Sequence, residues 1–133
     1  DERAASMRFI ARCYKYLKRY EEAKMWFNKA INEAPYLRDA YVEMAFLEYE
    51  LNNFSAVKKY CLLALDIKTH EKTYINEPFS FDYTIYDLLS ISTFYLGEID
   101  ESLKWVDIAI KMEPNNKRLL NNKKLILRSK KEF

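Results

Sequence analysis

The chain has 133 residues, half of them hydrophobic, with 22 Lys and Arg against 20 Asp and Glu, and a single glycine. One glycine cannot supply a phosphate-binding loop, a dinucleotide-binding turn or the turns of an all-β barrel. The net charge of +2 is too small to indicate binding to nucleic acid. No apolar run approaches the roughly 20 residues that span a bilayer. We therefore expect one domain, with no nucleic-acid partner and no stable membrane insertion.

The sequence repeats itself three times. Residues 20–35 match residues 54–69 at a shift of 34, and a third copy covers residues 99–114. That copy comes 11 residues later than a constant period would place it. Self-similarity at a period of this size is the signature of a helical repeat array. The delay indicates an insertion between the second and third copies.

Each copy contains two helical stretches, because apolar residues recur at helical spacing on both sides of a short polar break. Gly97, the one glycine, stands where the end of a helix requires a left-handed residue. A seventh, basic helix follows the third copy. The predicted helices cover about 4–17, 21–33, 39–51, 55–67, 84–96, 100–112 and 117–130.

The pattern of small and large residues resembles the tetratricopeptide repeat. In the first copy it comprises Met7, Ile10, Ala11, Tyr14, Ala23, Phe27, Ala30 and Pro35. The resemblance implies an all-α helix-turn-helix repeat solenoid with three repeats and a C-terminal capping helix. The repeats are expected at about 4–37, 38–71 and 83–116, the insertion at 72–82 and the capping helix at about 117–130.

The middle of the chain carries a second resemblance. This part of the sequence is similar to the repeat region of bacterial glycosyltransferases that join a family 2 type catalytic domain to tetratricopeptide repeats. The likeness implies a parent protein that uses a nucleotide-sugar donor, whereas these residues lack the Asp-x-Asp element that holds the donor's metal. Its phrases are Arg38-Asp39-Ala40-Tyr41-Val42-Glu43-Met44-Ala45, Tyr60-Cys61-Leu62-Leu63-Ala64-Leu65, Thr73-Tyr74-Ile75-Asn76-Glu77-Pro78 and Tyr86-Asp87-Leu88-Leu89.

The chain itself offers little for catalysis. Its one histidine, His70, lies in a polar stretch without a nucleophile pattern around it. Glu77, Asp82 and Asp87 could form a carboxylate pair or a metal site, although their spacing matches no known metal loop; the alternative is a solvated acidic face. We expect no catalytic residue, no cofactor and no metal. Two cysteines inside apolar helical patterns, Cys13 and Cys61, predict buried free thiols in a reducing, cytoplasmic compartment.

Family geometry implies a concave groove, because the first helix of each tetratricopeptide pair lines it. Arg12 and Phe46 stand where members that grip a C-terminal carboxylate place Asn, so no chaperone-tail clamp is predicted. The aromatic rings suit a hydrophobic helix, an extended peptide or a neighbouring domain; the alternative is that they pack against the insertion. The predicted groove residues are Arg8, Arg12, Tyr16, Phe46, Tyr49, Phe94 and Tyr95.

The insertion is too aromatic for a disordered linker, so we predict an ordered loop that packs across the groove. Its candidate residues are Tyr74, Asn76, Glu77 and Phe79. The C-terminal segment from Lys117 is strongly basic, which is consistent with a solvated capping helix or with contact to an anionic membrane surface.

Two functions follow from the sequence. The first is a non-catalytic accessory region of a glycosyltransferase, which acts in dimerisation or in placing the acceptor and the catalytic domain. The second is a stand-alone tetratricopeptide adaptor that binds a partner peptide in its groove. In either case the expected partner is a protein, a peptide, a neighbouring domain of the same chain or a second copy in a homodimer.

Overall fold

The computed structural model describes residues 2–68 and 77–131. These residues form helices and no strand, so the prediction of an all-α helical repeat solenoid is confirmed. A short 3₁₀ helix, Pro78–Ser80, precedes the third helix pair. The α-helices are α1 Glu2–Tyr16, α2 Tyr20–Glu33, α3 Asp39–Glu50, α4 Phe54–Leu65, α5 Thr84–Tyr95, α6 Ile99–Met112 and α7 Lys117–Lys131.

Three helix pairs stack in chain order, with α7 against α6. Small side chains allow each pair to approach closely: Ala11 meets α2 at Ala23, and both are fully buried. The third pair has Ser90 and Ser102 at the equivalent places. The Ser102 hydroxyl donates to the Ser90 carbonyl at 2.8 Å, and the Ser90 hydroxyl donates to the Ser102 carbonyl at 3.2 Å. These reciprocal bonds satisfy both buried hydroxyls, so the polar replacement is tolerated.

The three turns within the helix pairs share one backbone geometry. Lys18, Asn52 and Gly97 occupy equivalent places in the repeats and have φ angles of 61°, 57° and 81°. In each turn the next amide bonds back to a carbonyl five residues earlier, as from Arg19 to Tyr14 at 2.9 Å. This is the Schellman ending of a helix, which favours glycine at the left-handed position. Gly97 therefore has the role that the sequence predicts.

The left-handed positions give a matched pair of stability predictions. A Cβ added at Gly97 meets no atom within 4 Å, so Gly97→Ala should lower the free energy of unfolding by about 1 kcal/mol through backbone strain alone. Lys18→Gly should raise it by up to about 1 kcal/mol, because it removes that strain. Urea denaturation of both variants checks the pair. Equal effects of the same sign would contradict the assignment.

The prediction for the two cysteines is half right. Cys61 on α4 is fully buried, and burial raises its pKa to about 12. Cys13 on α1 is exposed, so the prediction of a buried thiol there is wrong. The equivalent residue of α3, Leu47, is buried in a cluster that includes Phe27 of α2. No helix of the described residues packs on the corresponding side of α1.

The basic helix α7 is tied to the last repeat by ion pairs. Lys123 lies 2.8 Å from Asp107, Lys130 lies 2.8 Å from Asp100, and Arg118 lies 2.6 Å from Asp87. Leu119 and Ile126 are the buried residues of its apolar side. Within residues 2–68 and 77–131, no helix combines the length and the apolar character needed to cross a bilayer.

Candidate functional site

A buried ionic cluster lies where the first two repeats meet. Arg8 of α1 is only 3 % exposed, and its guanidinium lies 3.6 Å from Asp39 and 3.1 Å from Glu43 of α3. The Glu77 carboxylate approaches the same guanidinium at 3.4 Å. Arg12, which is 44 % exposed, lies 3.3 Å from Glu43 and 3.9 Å from Glu77. Both arginines that were predicted to line the groove are therefore already paired with carboxylates.

Three carboxylates share two guanidinium groups in this cluster. Burial raises the pKa of Glu43 above its ordinary value, and the nearby Glu77 raises it further. Arg8 and Arg12 act in the opposite direction, because they favour the ionised carboxylate. The cluster thus has more negative than positive charge, and it lies where desolvation opposes the ionised form of Glu43.

The end of the insertion is fastened to the start of α3. Asp39 is 2 % exposed; one carboxylate oxygen accepts the Glu77 N–H at 3.2 Å, and the other accepts the Ser80 hydroxyl. The neighbouring Arg38 donates to the Ile67 carbonyl at 2.8 Å and to the Ser80 carbonyl at 3.0 Å. One guanidinium therefore joins the segment that leaves α4 to the segment that enters α5.

Phe79 of the 3₁₀ helix covers the middle of the concave side. Its ring meets Phe46 of α3 edge to face, with the centroids 5.3 Å apart. Lys15 of α1 also lies over the Phe46 ring, with its Nζ 5.8 Å from the ring centroid. The 3₁₀ helix packs against both α3 and α5. Residues 77–82, which we call the strap, thus cover the part of the groove around Phe46.

The part of the groove toward the C-terminus is open. It forms a cavity of about 310 Å³ between α3, α5 and α7. Leu125, which is 45 % exposed, stands on the α7 wall, and Ile91 and Phe94 stand on the α5 wall. Besides the two tyrosines, its polar lining residues are Ser90, Arg118 and Asn122. The lining comprises Tyr49, Ser90, Ile91, Phe94, Tyr95, Arg118, Asn122, Leu125 and Ile126.

A row of aromatic rings forms one rim of this cavity. Tyr95 stacks on Phe54 of α4 at a centroid distance of 4.4 Å, and Phe54 meets Tyr49 at 6.1 Å. Phe94 meets Tyr95 edge to face at 5.8 Å. Tyr95 remains 63 % exposed despite the stacking. Because aromatic neighbours hold these rings, they present a pre-ordered apolar edge to solvent.

The structure divides the predicted groove residues into separate places. Tyr49, Phe94 and Tyr95 meet at the open cavity, whereas Arg8, Arg12 and Phe46 lie beneath or beside the strap. Tyr16 is 88 % exposed at the C-terminal end of α1. Glu77 and Phe79 are in the strap. Tyr74 and Asn76 lie outside the described residues.

Sequence reasoning missed the contribution of α7 to the cavity. Arg118, Asn122 and Leu125 recur at intervals of four and three, which is one side of a helix. The apolar residues of α7 predict only that this helix covers the last repeat. The sequence also does not predict the hydrogen bond between Ser80 and Asp39, since no local pattern pairs residues 41 apart.

The acidic residues of the alternative metal site have other partners. Glu77 pairs with Arg8, Asp87 with Arg118, and Asp82 accepts the Thr84 N–H at 2.8 Å at the start of α5. Residues 2–68 and 77–131 hold no group of three His, Cys, Asp or Glu side chains that could bind a metal ion. The observed geometry therefore assigns these carboxylates to structural contacts.

Comparisons with known proteins agree with this architecture. A family model described as tetratricopeptide repeat matches residues 9–36. The first TPR of Spaghetti (RPAP3), solved with the HSP90 peptide SRMEEVD, has a TM-score of 0.80 at 20 % identity, covering 96 % of this chain and 93 % of that chain. The chain has the tetratricopeptide-repeat fold.

A second solved structure supports the same fold. The NMR structure of the first TPR domain of human RPAP3 has a TM-score of 0.77 at 20 % identity, covering 97 % of this chain and 93 % of that chain. No curated protein matches the sequence significantly. The tetratricopeptide-repeat fold places α1, α3 and α5 along one side, and the open cavity lies on that side.

Proposed function

We propose that this chain is a non-catalytic protein-interaction module that binds an apolar segment of a partner protein in the open cavity between α3, α5 and α7. The observation that carries the proposal is the cavity itself, about 310 Å³, with its pre-ordered aromatic rim. Apolar concave sites with a few polar groups at one edge are typical of peptide recognition. Arg118 and Asn122 supply that polar edge.

The occupant we propose differs from the peptide in the solved RPAP3 complex. SRMEEVD, the HSP90 peptide of that structure, is rich in carboxylates. In this chain Arg8 is buried, and the Glu77 carboxylate already contacts both Arg8 and Arg12. The lining of the open cavity is mainly apolar. A segment with large apolar side chains, either helical or extended, fits it better than an acidic tail.

Substitution of one cavity residue tests this proposal. Leu125→Glu places a carboxylate in the apolar wall, so peptides selected from a random library against the wild-type chain should bind this variant at least about tenfold more weakly. Leu120→Glu is the matched control on the same helix, since Leu120 is 39 % exposed and does not line the cavity. Isothermal titration calorimetry gives both affinities. Equal losses in the two variants, or none in either, would reject the cavity as the binding site.

We also propose that the module is the accessory region of a bacterial, cytoplasmic glycosyltransferase of family 2 type. Two of the phrases that carry the resemblance meet in space, because Asp39 accepts the Glu77 N–H at 3.2 Å. Two free cysteines favour a reducing compartment. An assay of nucleotide-sugar turnover by the natural gene product tests this role. A gene product that turns over no nucleotide sugar supports the stand-alone adaptor instead. The remaining expected partner is a second copy of this chain. Such a homodimer would form through a surface other than the cavity.

A further inference from the structure

The open cavity continues into a second hollow along α7. This hollow, of about 740 Å³, is lined by the end of α5, the start of α6 and the end of α7. Phe94 and Tyr95 line both the second hollow and the open cavity, so the two form one trough that meets at these rings. On α7 the trough extends from Arg118 to Ser129, which is about 16 Å or three helical turns.

The trough offers few free polar groups to a peptide backbone. The Ser90 hydroxyl donates to the Ser102 carbonyl, and both terminal nitrogens of Arg118 donate to the Asp87 carboxylate, at 3.2 and 2.6 Å. An extended segment of about 16 Å has about five residues and ten backbone polar groups to satisfy. A helix satisfies these groups within itself and presents apolar side chains at intervals of three and four residues. The trough therefore favours a helix over an extended segment.

A row of bases on α7 borders the trough. Lys117, Lys124 and Arg128, which we call the basic row, are exposed, and each directly precedes a residue that lines the trough. They recur at intervals of seven and four residues, so they share one side of α7 next to the lining. Lys123 and Lys130 of the same helix pair with carboxylates of α6. Within the described residues no ion pair engages the basic row, so this border of the trough has unbalanced positive charge.

We propose that the ligand of the trough is an amphipathic helix of a partner protein, with Asp or Glu residues along one border of its apolar side. Its large apolar residues enter the two hollows, and its acidic residues face the basic row. The inference rests on the proposed function and specifies the conformation and charge of the ligand. Because α3, α5 and α7 enclose the open cavity, the site does not rely on an uncovered end of the repeat stack.

The conformation of bound peptides tests the helix. Peptides of about 16 residues, long enough for four helical turns, are selected from a random library against the wild-type chain. A ¹³C-labelled peptide of this set should show helical Cα chemical shifts when bound. Ser129→Trp should fill the second hollow and weaken binding at least about tenfold, whereas Leu127→Trp, outside the lining, should not. Peptides that bind in an extended form, or that Ser129→Trp leaves unaffected, overturn the inference.

Charge reversal tests the basic row with the same peptides. Lys124→Glu should weaken their binding about fivefold at low ionic strength, and added salt should reduce the difference from the wild type. Lys111→Glu on α6, an exposed base that lines neither hollow, is the matched control and should bind like the wild type.

The outcomes separate this inference from the proposed function. If Leu125→Glu weakens peptide binding but Lys124→Glu and Ser129→Trp do not, the cavity remains the binding site and the acidic helix alone is rejected. If Leu125→Glu has no effect, the proposed function itself fails. If Lys124→Glu weakens binding to vesicles of anionic phospholipid and leaves peptide affinity unchanged, the basic row serves a membrane surface and the inference is overturned.

Discussion

Replacing Arg8 by methionine should lower the free energy of unfolding by about 3–5 kcal/mol near neutral pH, because it leaves buried carboxylates without their cation. Arg8 is 3 % exposed and contacts Asp39, Glu43 and Glu77. Methionine keeps the length of the side chain, so the loss reflects charge more than volume. Thermal and urea denaturation give the size of the effect. Arg12→Met, which removes the 44 % exposed partner of the same cluster, is the matched control and should cost clearly less.

The pH dependence of the stability that Arg8→Met loses identifies the cause of that loss. Glu43 has a raised pKa in the folded chain, so the folded state takes up its proton more readily than the unfolded state does. Its protonation therefore stabilises the fold as the pH falls from neutral toward the ordinary carboxyl range. Without Arg8 that pKa rises further, and the difference in stability between Arg8→Met and the wild type should shrink on acidification. A difference that is constant with pH would assign the loss to packing instead.

The helices and their turns follow from local sequence. Apolar spacing locates both ends of every α-helix to within about two residues, and Gly97 marks a left-handed turn that Lys18 and Asn52 repeat. The largest differences are two residues: α1 begins at Glu2 rather than at about residue 4, and α4 ends at Leu65 rather than at about residue 67. There the Ile67 carbonyl is bonded by Arg38, which lies 29 residues away. A long-range side-chain donor of this kind leaves no local signal.

The candidate site was predictable only in part, because it too depends on contacts between residues that lie far apart in the sequence. Tyr49, Phe94 and Tyr95 follow from the position of each helix in its repeat, and they meet at the cavity. Arg8 and Arg12 have the predicted place on α1, but their exposure depends on carboxylates that come from α3 and from beyond the insertion. Whether a charged groove residue is open to a ligand depends on its partners across the fold. The sequence therefore predicts the walls of the groove better than it predicts which part is closed.

The exposed surface of α1 shows a second limit to what the sequence predicts. Repeat equivalence predicts that Cys13 is buried, since Leu47 and Ser92 at the same place are both fully buried. Cysteine is a residue type that is common in protein interiors, but within the described residues no neighbouring helix covers this one. A prediction of burial from periodicity assumes that the next helix is present. At Cys13 no helix of the described residues supplies that neighbour, so the thiol is exposed.

The second large effect is expected at Asp39, the residue that holds the strap. Asp39→Ala removes the acceptor of the Glu77 N–H and of the Ser80 hydroxyl, and it removes one carboxylate from Arg8. Hydrogen bonds to a buried charge contribute roughly 1.5–3 kcal/mol each, so the strap should open more easily by about 3 kcal/mol. The expected result is cleavage by chymotrypsin after Phe79 on the order of 100-fold faster than in the wild type.

A control in the same segment separates release of the strap from general destabilisation. Asp82→Ala removes the carboxylate that accepts the Thr84 N–H at the start of α5, which should cost about 1 kcal/mol without freeing the strap. Rapid cleavage of Asp39→Ala with slow cleavage of Asp82→Ala would show that Asp39 keeps this part of the groove closed. Cleavage of Asp39→Ala at the wild-type rate would mean that Arg38 and the contact between Phe46 and Phe79 hold the strap without it.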